Sequence, residues 1–263
     1  MWEIQMIDYE NFDRSVQAYG KEGPFDHCVI DNFFEADVAN ALEAEMPAYE
    51  SADWFFYNNS IEHKKTQNSW EKFPTTTYRA FAELQSPAMT GRLSALLGCP
   101  LYVDHGLHGG GWHIHGVGGN LNPHFDYSIH PKMKLERVLN IIIYMSSDLR
   151  PEHGGDLGLW EHDGEAGQPG KLAKEIVPTF NRAVLFNTTQ NSWHGMSKPL
   201  TVVDGIYRKS MAIYYLRDPA PGADTRGRAL FAPRETQRDD EKVLETIRLR
   251  SNVNTSKDVY RTT

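Results

Sequence analysis

The sequence predicts a mainly β protein with flanking helices, and two observations carry that prediction. Between Pro100 and about residue 217, short runs rich in β-branched and aromatic residues alternate with Gly- and Pro-containing turns. Helix punctuation, by contrast, is confined to the stretches before and after this region. Eight short strands at such spacing indicate a double-sheet jelly roll or a barrel, architectures that manage exposed sheet edges.

Taken in order, residues 26–34 (HCVIDNFFE) read as a short strand. The following ADVANALEAEMP reads as a helix, with Val38, Leu42 and Met46 on one face and Pro47 ending it. A polar, aromatic-rich stretch runs on to about residue 77. A second helix has Ser86 as N-cap, Pro87 at its first position and Gly98 just past its end, with Met89, Leu93, Leu96 and Leu97 as its buried stripe. The strands then expected are 101–105, 112–115, 124–127, 138–145, 156–161, 175–177, 183–186 and 205–216. The charged tail after Pro219 holds one amphipathic helix, ETQRDDEKVLETIRLR, with Val243, Leu244 and Ile247 as its apolar contact. The organisation expected is a support region over 1–99, a catalytic β core over 100–217 and a charged helical tail over 218–263, all in one structural domain.

A chain of 263 residues can bury a full core, and 40% hydrophobic with 24% charged residues is ordinary for a globular protein. The net charge of −8 argues against nucleic acid as a partner, because neutralising phosphates needs a basic face. The opening MWEIQMIDYE lacks a signal peptide's basic flank and apolar run. No apolar run approaches the roughly 18 residues that span a bilayer, so no membrane partner is expected. Cys28 and Cys99 are far apart and outside any C-x-x-C spacing, which favours a reducing cytoplasm over a disulfide framework. Oligomeric state is not legible.

The chemistry starts at NPHFDYSIH, residues 122–130, where His124 and Asp126 stand two apart and so face the same way in a strand. His194, in NSWHGM after the strand AVLF, supplies a second imidazole. Two histidines and one carboxylate make a face that leaves three adjacent positions open on a divalent iron, two for a bidentate co-substrate and one for O2. Fourteen residues beyond His194, Arg208 and Ser210 share a strand face while Lys209 points the other way. Arginine offers a two-pronged fork to a carboxylate, and a buried arginine beside a metal makes most sense if a carboxylate arrives to pair with it. A dicarboxylate that chelates iron at one end and meets Arg208 at the other is 2-oxoglutarate.

With HFD at 124–126, NIIIYM at 140–145, GGDLGLW at 154–160, FNRAVLFN at 180–187, WHG at 193–195 and RKS at 208–210, the chain resembles the Fe(II)/2-oxoglutarate-dependent dioxygenases, in their prolyl-4-hydroxylase-like branch. The resemblance runs over roughly residues 100–217. It implies a double-stranded β-helix (the cupin-like jelly roll), with Fe(II), 2-oxoglutarate and O2 as cofactor and co-substrates. It also implies decarboxylation of 2-oxoglutarate to succinate and CO2, coupled to hydroxylation of an unactivated C–H bond. Retention of Asp126 favours hydroxylation over halogenation, since related halogenases carry Gly or Ala there; desaturation and cyclisation stay open.

Around this centre, Tyr144 shares a strand face with Asn140 and is a candidate to touch the co-substrate carboxylate, with a plain core tyrosine as the alternative. His113 and His115 share a face and are candidates to line the pocket, with Asn122, His130, Trp160 and Trp193 as further substrate-binding candidates. The cluster His105, His108, His113 and His115 lacks Cys and a helical H-x-x-x-H register, so it is not read as a zinc site. Segment 128–137 reads as a solvated loop, with anion recognition by His130, Lys132, Lys134 and Arg137 as the alternative. Residues 52–60 suggest a lid and the glycines 116–119 a flap. A free small molecule (amino acid, sugar or natural-product intermediate) is the expected substrate, because no extra domain or basic groove for a macromolecule is apparent. The alternatives are a hydroxylase of prolyl or other residues in a protein, and a cupin-type metal enzyme or binding barrel that does not use 2-oxoglutarate.

Overall fold

The computed structural model describes residues 5–257 and Val259. In chain order the elements are α1 (Tyr9–Ser15), β1 (His27–Ile30), α2 (Ala36–Glu45), β2 (Phe55–Asn58), β3 (Glu62–Gln67), α3 (Thr75–Leu84) and α4 (Pro87–Leu97). There follow β4 (Tyr102–Val103), β5 (Gly111–His115), β6 (Asn120–Leu121), β7 (His124–Phe125), β8 (Glu136–Tyr144), β9 (Leu157–Asp163) and β10 (Gln168–Ile176). The chain closes with β11 (Arg182–Asn187), β12 (Trp193–Met196), β13 (Arg208–Arg217), β14 (Leu230–Phe231) and α5 (Glu241–Ser251).

Two curled antiparallel sheets make a double-stranded β-helix. The larger runs β1-β11-β8-β13-β5-β3-β2, with β4 attached to β13 and β6 to β3; the smaller runs β10-β9-β12-β7-β14. Strand alternation sorts the side chains of the large sheet. On β8 and β13, Leu139, Ile141, Ile143, Met211, Ile213 and Tyr215 pack outward into a core shared with Phe12, Phe33, Leu42, Phe81 and Leu93 from the helical region. Their neighbours Asn140, Ile142, Arg208, Ser210, Ala212 and Tyr214 face inward and line a cavity between the sheets. The helices thus back one face of the sheet and leave the other free for chemistry.

The expected second helix forms as read. Ser86 Oγ accepts the Met89 N–H at 3.2 Å, and Gly98 sits at φ 67°, the left-handed conformation that glycine adopts without strain. The tail helix is shorter than expected, and its face is shifted: Val243 is buried and Ile247 partly so, whereas Leu244 is 41% exposed.

Six elements are not legible in the sequence: α1, β2, β3, α3, β6 and β14. The polar, aromatic-rich stretch up to about residue 77 holds the β2–β3 hairpin and the start of α3. β3, with sequence EHKKTQ, has no apolar alternation because the face it buries is polar. α3 opens with three threonines, poor helix formers, and its N-terminus is held by Glu45, whose carboxylate accepts the Thr76 and Thr77 N–H groups at 3.0 and 2.7 Å. β14 is two residues long, too short for any pattern.

Candidate metal and co-substrate site

β7 and β12 pair so that His124 lies directly opposite His194, with ring centroids 4.3 Å apart. Close approach of the strands depends on Gly195, where a Cβ would come within 2.6 Å of the Asn122 carbonyl oxygen. Each imidazole is fixed at its far nitrogen. His124 Nδ1 lies 2.9 Å from the Asn122 carbonyl oxygen, and His194 Nδ1 lies 2.8 Å from that of Ser192. Donation from both Nδ1–H groups leaves both Nε2 lone pairs facing the space beside Asp126, the tautomer that metal ligation needs. His124 Nε2 is 3.9 Å and His194 Nε2 3.7 Å from the Asp126 carboxylate, and one ligand atom from each residue falls within 4.8 Å of the others.

Burial holds both imidazoles below their ordinary pKa, so they are neutral donors at pH 7. For Asp126, burial pushes upward, but the Arg137 guanidinium and the two imidazoles outweigh it and hold the carboxyl below its usual range. Asp126 Oδ2 is buried with no hydrogen-bond partner. A buried anionic oxygen left unsatisfied is costly, and a cation between the three side chains would satisfy it. The donor set, two neutral imidazoles and one carboxylate, suits a divalent first-row metal such as iron.

Arg137, expected either in a solvated loop or in anion recognition, instead braces the metal-face carboxylate. Its Nη1 lies 3.3 Å from Asp126 Oδ1, its Nη2 donates to the His108 carbonyl at 3.0 Å, and its guanidinium is clasped between the rings of Tyr127 and Tyr214 at 3.6 and 3.3 Å. The expected solvated loop ends before it. β8 pairs Leu139 with Tyr215 but Arg137 with Leu216, a slip of one residue that brings Arg137 round to the inner face.

Opposite the triad, Arg208 is 5% exposed; its Nε donates to the Gly155 carbonyl at 2.7 Å and its Nη2 to Tyr144 Oη at 3.3 Å. Among the described residues no carboxylate lies within ion-pair distance of it. Burial lowers its pKa, which partial compensation by Tyr144 and Asp156 does not undo. Lys209 points the other way and pairs with Glu43 at 2.9 Å, as alternation requires.

A cavity of about 360 Å³ brings together His124, Asp126, His194, Arg208, Ser210, His113 and His115. Tyr144 lies beneath Arg208. Four further candidates do not line the cavity. Trp193, next to His194, takes the opposite face, stacks on Phe125 at 3.9 Å and donates to His162; Trp160 packs beside it. The Asn122 amide is tied to the Ala232 carbonyl and to Gln237, so it braces β7. His130 lies 3.2 Å from Asp104, and its Nδ1 accepts the Lys132 and Met133 N–H groups, which makes it a turn-stabilising residue outside the cavity. The glycines 116–119 form a tight turn, Gly119 N–H to the Gly116 carbonyl at 2.9 Å, in place of a flap. The 52–60 stretch walls the cavity through Phe55 and Tyr57 of β2, and Phe231 of β14 stacks on His124 at 5.0 Å.

Residues 110–234 match the model of the 2OG-Fe(II) oxygenase superfamily. The likeness to that superfamily thus covers a little under half of the chain. A stretch of 92 residues is 33% identical to Prolyl 3-hydroxylase OGFOD1 of Xenopus laevis, covering 34% of this chain and only 17% of that protein. Among solved structures, a Pseudomonas putida prolyl-4-hydroxylase superposes with a TM-score of 0.56 at 16% identity, over 78% of this chain and 98% of its own. A Trichoplax adhaerens prolyl hydroxylase, solved in complex with a hypoxia inducible factor peptide fragment, gives 0.55 at 18% identity, over 79% and 90%. At these identities the structures speak for the fold, which is theirs. No helix among the described residues is long and apolar enough to cross a membrane.

Proposed function

We propose that the protein is an Fe(II)- and 2-oxoglutarate-dependent oxygenase that hydroxylates an unactivated C–H bond. The observation that carries this reading is the convergence of His124, Asp126 and His194 opposite a buried guanidinium with no carboxylate in ion-pair range among the described residues. Iron and 2-oxoglutarate, when bound, supply the O2-dependent decarboxylation to succinate and CO2 that drives the oxidation. The chain's own part is positional and electrostatic. His124 and His194 present neutral Nε2 donors already oriented by backbone carbonyls, so little reorganisation accompanies metal binding. Asp126 adds one negative charge, which leaves the metal face net positive and attractive to an anionic chelator. Arg208 offers its fork to the distal carboxylate, with Ser210 beside it as a hydroxyl donor and Tyr144 fixing the guanidinium from below. Phe231 and Phe186 pack against the two imidazoles and keep water from their faces.

The substrate this reading favours is a free small molecule, because the cavity is compact and walled by the β2–β3 hairpin. A prolyl residue of a polypeptide is the second reading, favoured by the prolyl hydroxylase that matches at 33% identity. Incubation of iron-loaded protein with 2-oxoglutarate, O2 and a metabolite panel tests the proposal. Succinate release that a panel member stimulates and that His124→Ala abolishes is the expected result. A cupin-type enzyme or binding barrel would release none.

A further inference from the structure

The cavity walls carry an excess of positive charge that the metal and co-substrate leave unused, although the protein as a whole is acidic at −8. Among the described residues, five cations line it, Lys64, Arg137, Arg208, Arg228 and Arg250, against two carboxylates, Glu62 and Asp126. Each carboxylate is already paired: Asp126 with Arg137 at 3.3 Å and Glu62 with Arg250 at 2.8 Å. Among the described residues, Lys64, Arg208 and Arg228 have no carboxylate within ion-pair distance. Arg208 is assigned above to 2-oxoglutarate, which leaves two.

The register of the large sheet places Lys64 where a second ligand would lie. Thr66 pairs with His113, and His113 with Ser210, so these form one row across three strands. Two residues along, the next inward-facing row is Lys64, His115 and Arg208. At about 4.8 Å per strand, Lys64 and Arg208 are rooted about 10 Å apart on the same wall. That separation allows each to serve its own anion. Between them His115 is 2% exposed, and both its ring nitrogens lack hydrogen-bond partners. The Lys64 ammonium stands 5.3 Å over the Tyr57 ring, makes no hydrogen bond or ion pair among the described residues, and has its pKa pulled down by burial. Arg228 reaches the cavity from the segment just before β14; its Nε is buried and without a partner. Arg228 Nε and both His115 nitrogens are thus buried and unsatisfied, which a merely solvated wall would not leave.

We propose that Lys64 and Arg228 form an anion-binding subsite for the primary substrate, a small molecule bearing a carboxylate or phosphate group. The proposal rests on the oxygenase reading above, since that reading assigns Arg208 to the co-substrate. The charge count agrees. With a divalent metal, Asp126, Arg137, Arg208 and doubly charged 2-oxoglutarate in place, the centre carries +1, and Lys64 and Arg228 raise it to +3. An anionic substrate brings that toward neutrality, whereas a neutral or cationic one leaves it uncompensated. Held at that end, the substrate's far portion would extend along the β3–β5 wall toward the metal face.

The test is a calorimetric titration of full-length protein carrying Mn(II) as a redox-inert stand-in for iron, with and without saturating 2-oxoglutarate. The probes are inorganic phosphate, L-glutamate and its neutral counterpart L-glutamine, with the tripeptide Glu-Pro-Glu as a polypeptide stand-in. In the presence of 2-oxoglutarate, at least one anion should bind about tenfold or more tightly than glutamine, the worth of one charged hydrogen bond. Phosphate ahead of glutamate assigns a phosphorylated substrate, and the reverse order a carboxylate. Lys64→Met and Arg228→Met should each weaken that anion tenfold or more and leave 2-oxoglutarate affinity within twofold. The proposal is overturned if glutamine binds as well as both anions, or if the two variants bind the anions like wild type. It is also overturned if Lys64→Met weakens 2-oxoglutarate instead, or if the tripeptide outbinds both small anions. Absence of 2-oxoglutarate binding by wild type refutes the oxygenase reading separately, because the anion series is also run without it.

Discussion

Replacing Arg208 by Ala should loosen 2-oxoglutarate far more than it disturbs the fold. The guanidinium is buried, holds the Gly155 carbonyl and the Tyr144 hydroxyl, and among the described residues has no carboxylate within ion-pair distance. An arriving distal carboxylate would therefore complete its pairing. Truncating one partner of a buried, hydrogen-bonded charge pair costs about 2–5 kcal/mol. At about 1.4 kcal/mol per tenfold, that is roughly a thirty- to several-thousand-fold weaker grip. Ser210 and Tyr144 stay behind to receive the carboxylate, which places the expected loss in the lower half of that range. Without ligand the sign reverses: Arg208→Met removes an uncompensated buried cation and should melt no lower than wild type. It should also lose the stabilisation that 2-oxoglutarate confers on wild type, about 2.7 kcal/mol at a hundred times Kd. Lys209→Ala is the control, since Lys209 pairs with Glu43 on the helical side of the sheet. Calorimetric titration of the Mn(II) forms with 2-oxoglutarate reads all three. Wild-type affinity in Arg208→Ala, or a large loss in Lys209→Ala, would refute the reasoning.

Arg137→Met should weaken metal binding about ten- to hundredfold, the usual effect of removing a residue that orients a ligand, and a metal titration showing unchanged affinity would count against it. Stability should fall with acid. Burial pulls the His113 pKa down to about 3, so below its unfolded value of about 6.5 the unfolded chain binds a proton that the folded chain does not. The folded state therefore loses about 2 kcal/mol from His113 between pH 7 and pH 5, and continues to lose it down to about pH 3. Urea midpoints at the two pH values should show a smaller drop in His113→Gln than in wild type.

The two sheets and the triad were legible because their signals are local. H-x-D places two side chains on one face whatever the rest of the chain does, and β8 and β13 are long enough for alternation to assign Arg208 and Lys209 to opposite sides. The same alternation, applied to Trp193 and His194, would have sent Trp193 away from the cavity. What stayed hidden depends on contacts distant in sequence. Lys64 sits on a strand whose buried face is polar, so no apolar pattern marks it. Arg137 faces inward only because the β8–β13 pairing slips by one residue, and such a slip leaves no trace in composition. Arg228 comes from a tail that reads as solvent-exposed charge, yet two residues of it, Leu230 and Phe231, pair with β7 and carry it to the cavity.

The central claim is that His124, Asp126 and His194 hold one divalent metal. Its most direct test is metal content after anaerobic reconstitution with Fe(II) and removal of excess metal, measured by elemental analysis on wild type and on His124→Ala/His194→Ala. The account predicts one iron per chain in wild type and essentially none in the double variant, with both proteins folded by circular dichroism. One iron per chain in the double variant would contradict it.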